Sequence, residues 1–450
     1  MTPRRAGWTV AGIVAVGLIA GAVELVVDDS YRDAALALVA GLIAGAVGAL
    51  TVSLVPGSDL RGLVLGAVFA VQGVLSWTYT NTGAVVWGLL LLSGLLLLFW
   101  FRPVSFLAVR SGAAWLGVSY LIIGALGAAL VFKPEIAVQR TLYAGYFGLV
   151  VLAVFAFRGS FARLTLGIAV AFLGTVAVLL AAGSGNLFTS PHVVPDTPWG
   201  RGFEYRFWGA SWLLDHPNAM ACIAVLAAIR IGADTGVAAW QRIGSVATAA
   251  LVLCASDSRT GFLLMAIATL AFIWYGRRLT LVPAAALGLV LLVNGPSFLV
   301  KERYGDDAGV SSGRVETWRQ VGTDWRHDSR TEQLLGNTRD ARATVYRASS
   351  GADIKLTVDN APIAALRKAG VAGVAAFLAG LGLLLWNVWR RRRDADPWLV
   401  VLLPGALFTM ITNEWLIGGT GGTLWLLLLA GEAALLLGPV SPPSAPASRP

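Results

Sequence analysis

Three short polar stretches of this chain carry the residues that could do chemistry. Residues 201–218 read RGFEYRFWGASWLLDHPN and contain Arg201, Arg206, His216 and Asn218. Residues 256–261 read SDSRTG and contain Arg259, and residues 358–370 read VDNAPIAALRKAG and contain Asp359, Asn360 and Arg367. A guanidinium suits a phosphate, because its planar fork offers parallel N–H donors to two oxygens. Arg206 precedes an aromatic cluster and a helix start. Its alternative role, shared by Arg201, is an interfacial cation with its head in water or among lipid headgroups. In His216-Pro217-Asn218, Asp215 or Asn218 could cap the following helix, with Pro217 in its first turn. The unpaired N–H groups of that helix start could equally face an anion. Arg259 stands at a helix start beside an apolar run, where a charge is costly inside a bilayer. It needs a partner, either Asp257 or a bound pyrophosphate. Asp359 or Asn360 can cap a helix beginning at Ala361, with Pro362 in the first turn. Arg367 lies eight residues beyond Asp359, on roughly the same helical face. A carboxylate near arginines could serve as general base on a hydroxyl.

These residues must be held by apolar elements, because little else is present. The 450-residue chain is 57% hydrophobic and 13% charged. Soluble proteins average about 25% charged residues. Continuous apolar runs near the length of a bilayer-spanning helix recur along the chain. Their continuity excludes a β-barrel, whose strands alternate. The expected class is therefore all-α: a polytopic membrane protein with about 14 transmembrane helices and a long extracytoplasmic loop. The expected spans are near 8–27, 34–54, 62–80, 84–101, 112–132, 141–157 and 162–183. The others are near 217–232, 243–256, 260–275, 279–293, 370–388, 397–412 and 420–437. The 243–256 span is short and is expected to start nearer Ala238. The first run is too long for a signal-peptide core and is expected to be retained.

The net charge of +9 does not indicate nucleic acid, since most arginines fall in short loops between apolar runs. One alternate set of loops holds Arg4, Arg5, Arg61, Arg102, Arg110, Arg158, Arg163, Arg230, Arg242, Arg277, Arg278 and Arg390 to Arg393. The positive-inside rule makes that set cytoplasmic, and the even span count puts both termini of this cytoplasmic-membrane protein in the cytoplasm. Two long segments, about 183–216 and 294–359, then fall outside. The expected organisation is N-terminal spans over 1–183 and a transmembrane core with the first outer loop over 184–293. An outer-loop subdomain follows over 294–360, then C-terminal spans over 361–438 and a disordered cytoplasmic tail over 439–450. Within the loop, Val315, Trp318, Val321 and Trp325 share one helical face, with Ser312 as a plausible N-cap. That face is expected to lie in the membrane interface, or else to pack on the loop's own core. Cys222 and Cys254 lie inside apolar runs and read as packing residues. The three histidines have no metal-ligand spacing.

In order and spacing, these pieces resemble the O-antigen ligase and O-antigen polymerase superfamily of bacterial polysaccharide assembly. The matching residues are Arg206, Gly209 and His216-Pro217-Asn218, then Ser258-Arg259. The outer loop adds Ser312-Gly313-Arg314 and Trp318, and Asp359-Asn360, Arg367, Gly370 and Gly373 close the pattern. The match covers about residues 200–380. Ligases of the family have a histidine, thought to serve as base, where this chain has Asp359. The resemblance implies an inverting glycosyltransferase that uses a polyprenyl-pyrophosphate-linked glycan as donor and a lipid or glycan acceptor on the outer face. It implies catalytic roles for Asp359, Arg259 and Arg206. Substrate contacts are implied for Arg201, His216, Asn218, Arg314, Asn360 and Arg367. No nucleotide sugar, cofactor or metal is implied. The alternative is a lipid-linked oligosaccharide flippase or other transporter, for which Glu24 and Glu432 are the main intramembrane charges. A receptor or scaffold without chemistry is a third class, and it predicts no clustering of Arg206, Arg259 and Asp359.

Overall fold

The computed structural model describes residues 58–75, 104–131, 133–157, 159–182, 217–256, 258–274, 314–337, 342–347, 353–358, 360–393, 395–412 and 420–438. The expected spans near 8–27, 34–54, 84–101 and 279–293 lie outside them. The described helices are α1 (Ser58–Leu75), α2 (Gly112–Leu130), α3 (Pro134–Ala156), α4 (Phe161–Ala182), α5 (Pro217–Ala233) and α6 (Ala239–Ser256). They continue with α7 (Arg259–Trp274), α8 (Arg314–His327), α9 (Arg330–Leu335), α10 (Ala361–Arg390), α11 (Pro397–Thr412) and α12 (Thr420–Leu437). Three of them, over Gly112–Leu130, Ile136–Ala156 and Ala361–Arg390, are long and apolar enough to cross a membrane. Shorter apolar helices accompany them, among them Phe161–Ala177, Pro217–Ala233 and Gly422–Leu437.

The described elements are helical, as expected, apart from one short hairpin. Within the segment expected as an extracytoplasmic loop, β1 (Arg342–Arg347) pairs with β2 (Asp353–Thr357) in antiparallel fashion, with an irregularity between Thr344 and Tyr346. The two strands satisfy each other's backbone groups without needing an apolar span.

Helix starts follow local chemistry. Ser111 caps α2 by accepting from Ala114 N, and Pro134 opens α3. The helices then pack closely where side chains are small. A Cβ on Gly66 would strike Leu164 O, and one on Gly167 would strike Leu63 O, so α1 and α4 meet nearly backbone to backbone. One continuous core joins α1 through α7 with α10, α11 and α12.

The bundle has two chemically distinct ends. At one end, Arg230 near the close of α5 stacks on Trp398 at the start of α11, 5.1 Å from its ring centroid. Its guanidinium also donates to Ala162 O and to Thr165 Oγ1 near the start of α4. The Arg391 guanidinium donates to Leu435 O at the close of α12. Arg110 and the start of α2 belong to the same end, since Asn387 donates to Arg110 O. At the opposite end lie α8 and α9. Gly127, late in α2, abuts Leu335 of α9 there. The arginine-rich loops that the sequence assigns to one side therefore share an end wherever they are described.

Arg230 differs from that expectation in role. It is 1% exposed, pairs with Asp234 at 3.2 Å, and acts as an internal tie rather than a free loop cation. Glu432 is likewise fully buried. Its carboxylate accepts from Ser111 Oγ at 2.6 Å, Gly112 N at 2.9 Å, Ala113 N at 2.8 Å and Asn387 Nδ2 at 2.7 Å. An anion at the positive end of α2 is a stable arrangement.

Candidate functional site

The loop-bearing end gathers the starts of α5, α7 and α10. A Cβ on Gly261 in the first turn of α7 would meet the Ala221 side chain, so the starts of α7 and α5 lie side by side. Helix α11 runs antiparallel to α5, because Trp398 lies by Arg230 and Gly405 abuts Leu226. Its far end reaches α10, where Asn360 Nδ2 donates to Ile411 O at 3.2 Å. The three motifs singled out in the sequence thus begin helices at one end of one bundle.

At the start of α7, Ser258 is 1% exposed and its Oγ accepts from Gly261 N at 3.1 Å. Ser258 is therefore the cap, and Arg259 is the first helical residue. A cation at that position opposes the helix dipole, which favours negative charge there. Only the backbone of Arg259 and Arg314 is described. Pro217 opens α5, so half-buried Asn218 lies inside its first turn and is not its N-cap. Arg201, Arg206, His216 and Asp359 lie outside the described residues.

The start of α10 is the best defined part. Asn360, 8% exposed, caps it through Oδ1, which accepts from Ile363 N at 3.0 Å. The sequence left the cap open between Asp359 and Asn360, and the structure gives it to Asn360. The preceding carbonyl, Val358 O, accepts from Trp318 Nε1 of α8 at 3.0 Å. Asp359 is thus flanked by two buried residues whose polar groups are anchored to α8, α10 and α11. Arg367, 7% exposed, points to α8, with Nη1 3.9 Å from Asp324 Oδ2.

Helix α8 bears on a second expectation. Trp318, Val321, Val358, Ile363 and Ala364 form a small apolar cluster between α8 and α10. Trp325 Nε1 donates to Gln333 O of α9 at 3.1 Å. The tryptophan face therefore packs within the chain, against Val358, the start of α10 and Gln333 of α9, and Val315 alone of the four is largely exposed, at 41%. Both alternatives bury the same face, so periodicity could not separate them.

Sequence reasoning missed Arg140 as part of this region. Helix α10 is broken at Gly370, where φ is 62° and ψ is −162°. Arg140 of α3 donates to Lys368 O at 2.8 Å beside that break, to Gly124 O of α2 at 2.9 Å, and to Asn337 O at 3.0 Å. The available signal was an arginine on the side poor in arginine, the same signal that singled out Arg259.

The fold and this end define a class, a helical membrane protein that carries a polar lobe at one end. Compared with known proteins, the chain matches no protein-family model and no curated protein.

Proposed function

We propose that this protein is an inverting glycosyltransferase of the O-antigen ligase or polymerase type. It transfers or polymerises a polyprenyl-pyrophosphate-linked glycan on the outer face of the cytoplasmic membrane. In this reading the chain crosses the membrane about 14 times with both termini in the cytoplasm, and the loop-bearing end faces out.

One observation carries the reading: Asn360, not Asp359, caps α10. Helix capping therefore does not account for the carboxylate that precedes it. Its two neighbours are anchored, which suits a group that must hold its place. The acceptor hydroxyl oxygen attacks the anomeric carbon, and the bond from that carbon to the pyrophosphate oxygen breaks. Asp359 takes the hydroxyl proton. The polyprenyl pyrophosphate leaves with the electron pair, and Arg206 and Arg259 stabilise its growing charge. The parallel starts of α5 and α7 add N–H groups and a positive dipole end on the same side. Arg201, His216, Asn218, Arg314, Asn360 and Arg367 line the donor and acceptor positions.

The test is transfer by the purified protein from a polyprenyl-pyrophosphate-linked glycan to an acceptor, with Asp359→Asn alongside. Asparagine fills the position without a base. Turnover is expected to fall by about 10²–10⁴-fold, the usual worth of general base catalysis. Full turnover by Asp359→Asn would remove the base assignment, and no transfer by the unaltered protein would remove the reaction.

A further inference from the structure

We infer that Arg140 is a positioning residue that latches the outer lobe onto the bundle, with Gly370 as the break that makes the latch necessary. The inference deepens the proposed function, because residues 361–369 bear Arg367 and follow on Asp359 and the cap residue Asn360.

The argument begins with the break. An interrupted helix inside an apolar bundle frees backbone carbonyls, and a carbonyl left unpaired there is costly. Two freed carbonyls precede Gly370. Arg367 O accepts from Asn337 N at 3.0 Å, and Lys368 O accepts from Arg140 Nη1 at 2.8 Å. The partners thus come from elsewhere: one from the end of α9, the other from α3. The break itself is specified by sequence. At φ 62° glycine is favoured, and a Cβ on Gly370 would collide with the backbone of Leu334 and Leu335. Gly370 therefore lets α9 come against α10 at the level where the helix opens.

Arg140 then ties together three segments distant in the sequence. Nη1 bridges Gly124 O of α2 and Lys368 O of α10, and Nη2 reaches Asn337 O beyond α9. All three acceptors are main-chain carbonyls, so the guanidinium reads backbone position rather than side-chain identity. Lysine cannot reproduce this, because a single ammonium cannot span the positions that the fork spans. Asn337 is held in turn, its Nδ2 donating to Asp328 Oδ2 at 2.8 Å. The chain of contacts runs from α3 through Asn337 to α9, and through Lys368 to the half-helix that starts at Asn360. The Arg140 guanidinium thereby sets the height and tilt of that half-helix over the bundle. Displacing a reacting group by about 1 Å is enough to cost about 10²-fold in rate.

The experiment is hydrogen exchange on the full-length protein in detergent, with glycan transfer measured on the same preparations. The variants are Arg140→Lys, Arg140→Gln and, as an independent route to the same break, Gly370→Ala. Exchange over residues 330–337 and 361–369 is expected to rise about tenfold, while residues 222–231 of α5 keep their protection. Turnover in Arg140→Lys is expected to fall about 10²-fold together with the rise in exchange. Arg140→Lys keeps charge and bulk, so it decides the matter if Arg140→Gln fails to fold. Unchanged exchange in both segments would overturn the latch. Weaker donor binding with unchanged exchange would make Arg140 a substrate contact and also overturn it. If the unaltered protein transfers no glycan, the proposed reaction fails, while the exchange measurement still judges the latch by itself.

Discussion

At the residue scale, charge in this protein is spent on ties as often as it is offered to a ligand. Glu432 and Arg230 are buried and fully engaged with neighbouring helices. Glu432 was, with Glu24, one of the few carboxylates in the apolar runs and lies near a span end, and its four donors place it at the start of α2. Glu432→Ala leaves buried donors on Ser111, Gly112, Ala113 and Asn387 without their acceptor. Stability is expected to fall by about 3 kcal/mol, the scale of unsatisfied buried donors, which thermal denaturation in detergent would read. A small shift would mean that water or a rearranged side chain replaces the carboxylate. Arg259 is the opposite case, a cation placed at the first position of α7 after a serine cap. Arg259→Lys keeps the charge and loses the fork. Glycan transfer is expected to drop at least about tenfold while the protein inserts normally, and undiminished transfer would make Arg259 a purely topological residue.

At the element scale, the helix bounds were largely legible. The run expected near 397–412 is observed as Pro397–Thr412, and that near 420–437 as Thr420–Leu437. The short run at 243–256 begins at Ala239, as the shift toward Ala238 anticipated. Apolar length and proline or serine starts are local signals, so they survive in a single sequence. The helix expected to begin at Ala361 does so, and it runs on through the span expected at 370–388, with a break at Gly370 that the sequence reading did not anticipate. Hydropathy marks only the apolar part, and the half-helix before it is held by Asn360, Asn337 and Arg140. Helix α8 shows the same limit, since its amphipathic face names no partner. Trp318→Phe keeps the apolar contact and removes the donor to Val358 O. A loss of about 1–2 kcal/mol is expected, with earlier proteolysis around α8 and α9, because a buried carbonyl is left unpaired. Equal melting and equal proteolysis would detach α8 from the start of α10.

At the scale of the whole molecule, the question is which end faces out. The arginine-bearing loops gather at one end and α8 and α9 at the other, so the bundle has the polarity that the positive-inside rule reads. A single cysteine at Ser349→Cys, in a background lacking Cys222 and Cys254, is expected to react with an impermeant reagent on intact spheroplasts. Reaction only after lysis would place the lobe in the cytoplasm and end the proposed outer-face reaction. The sequence by itself determined the helical class, the helix bounds and the division of arginines between loops, because each depends on neighbours within a few turns. It also marked Asn360 and Arg259 as residues at helix starts. Only the tertiary structure decided that Asn360 caps α10, that Trp318 serves the loop core, and that Arg140 closes the break. Two of those depend on a hydrogen-bond partner distant in the chain, Val358 for Trp318 and Lys368 with Asn337 for Arg140, while Asn360 caps locally through Ile363 N and is tied to the bundle by Ile411 O. A buried polar group must find a partner, but its sequence neighbourhood does not say which one.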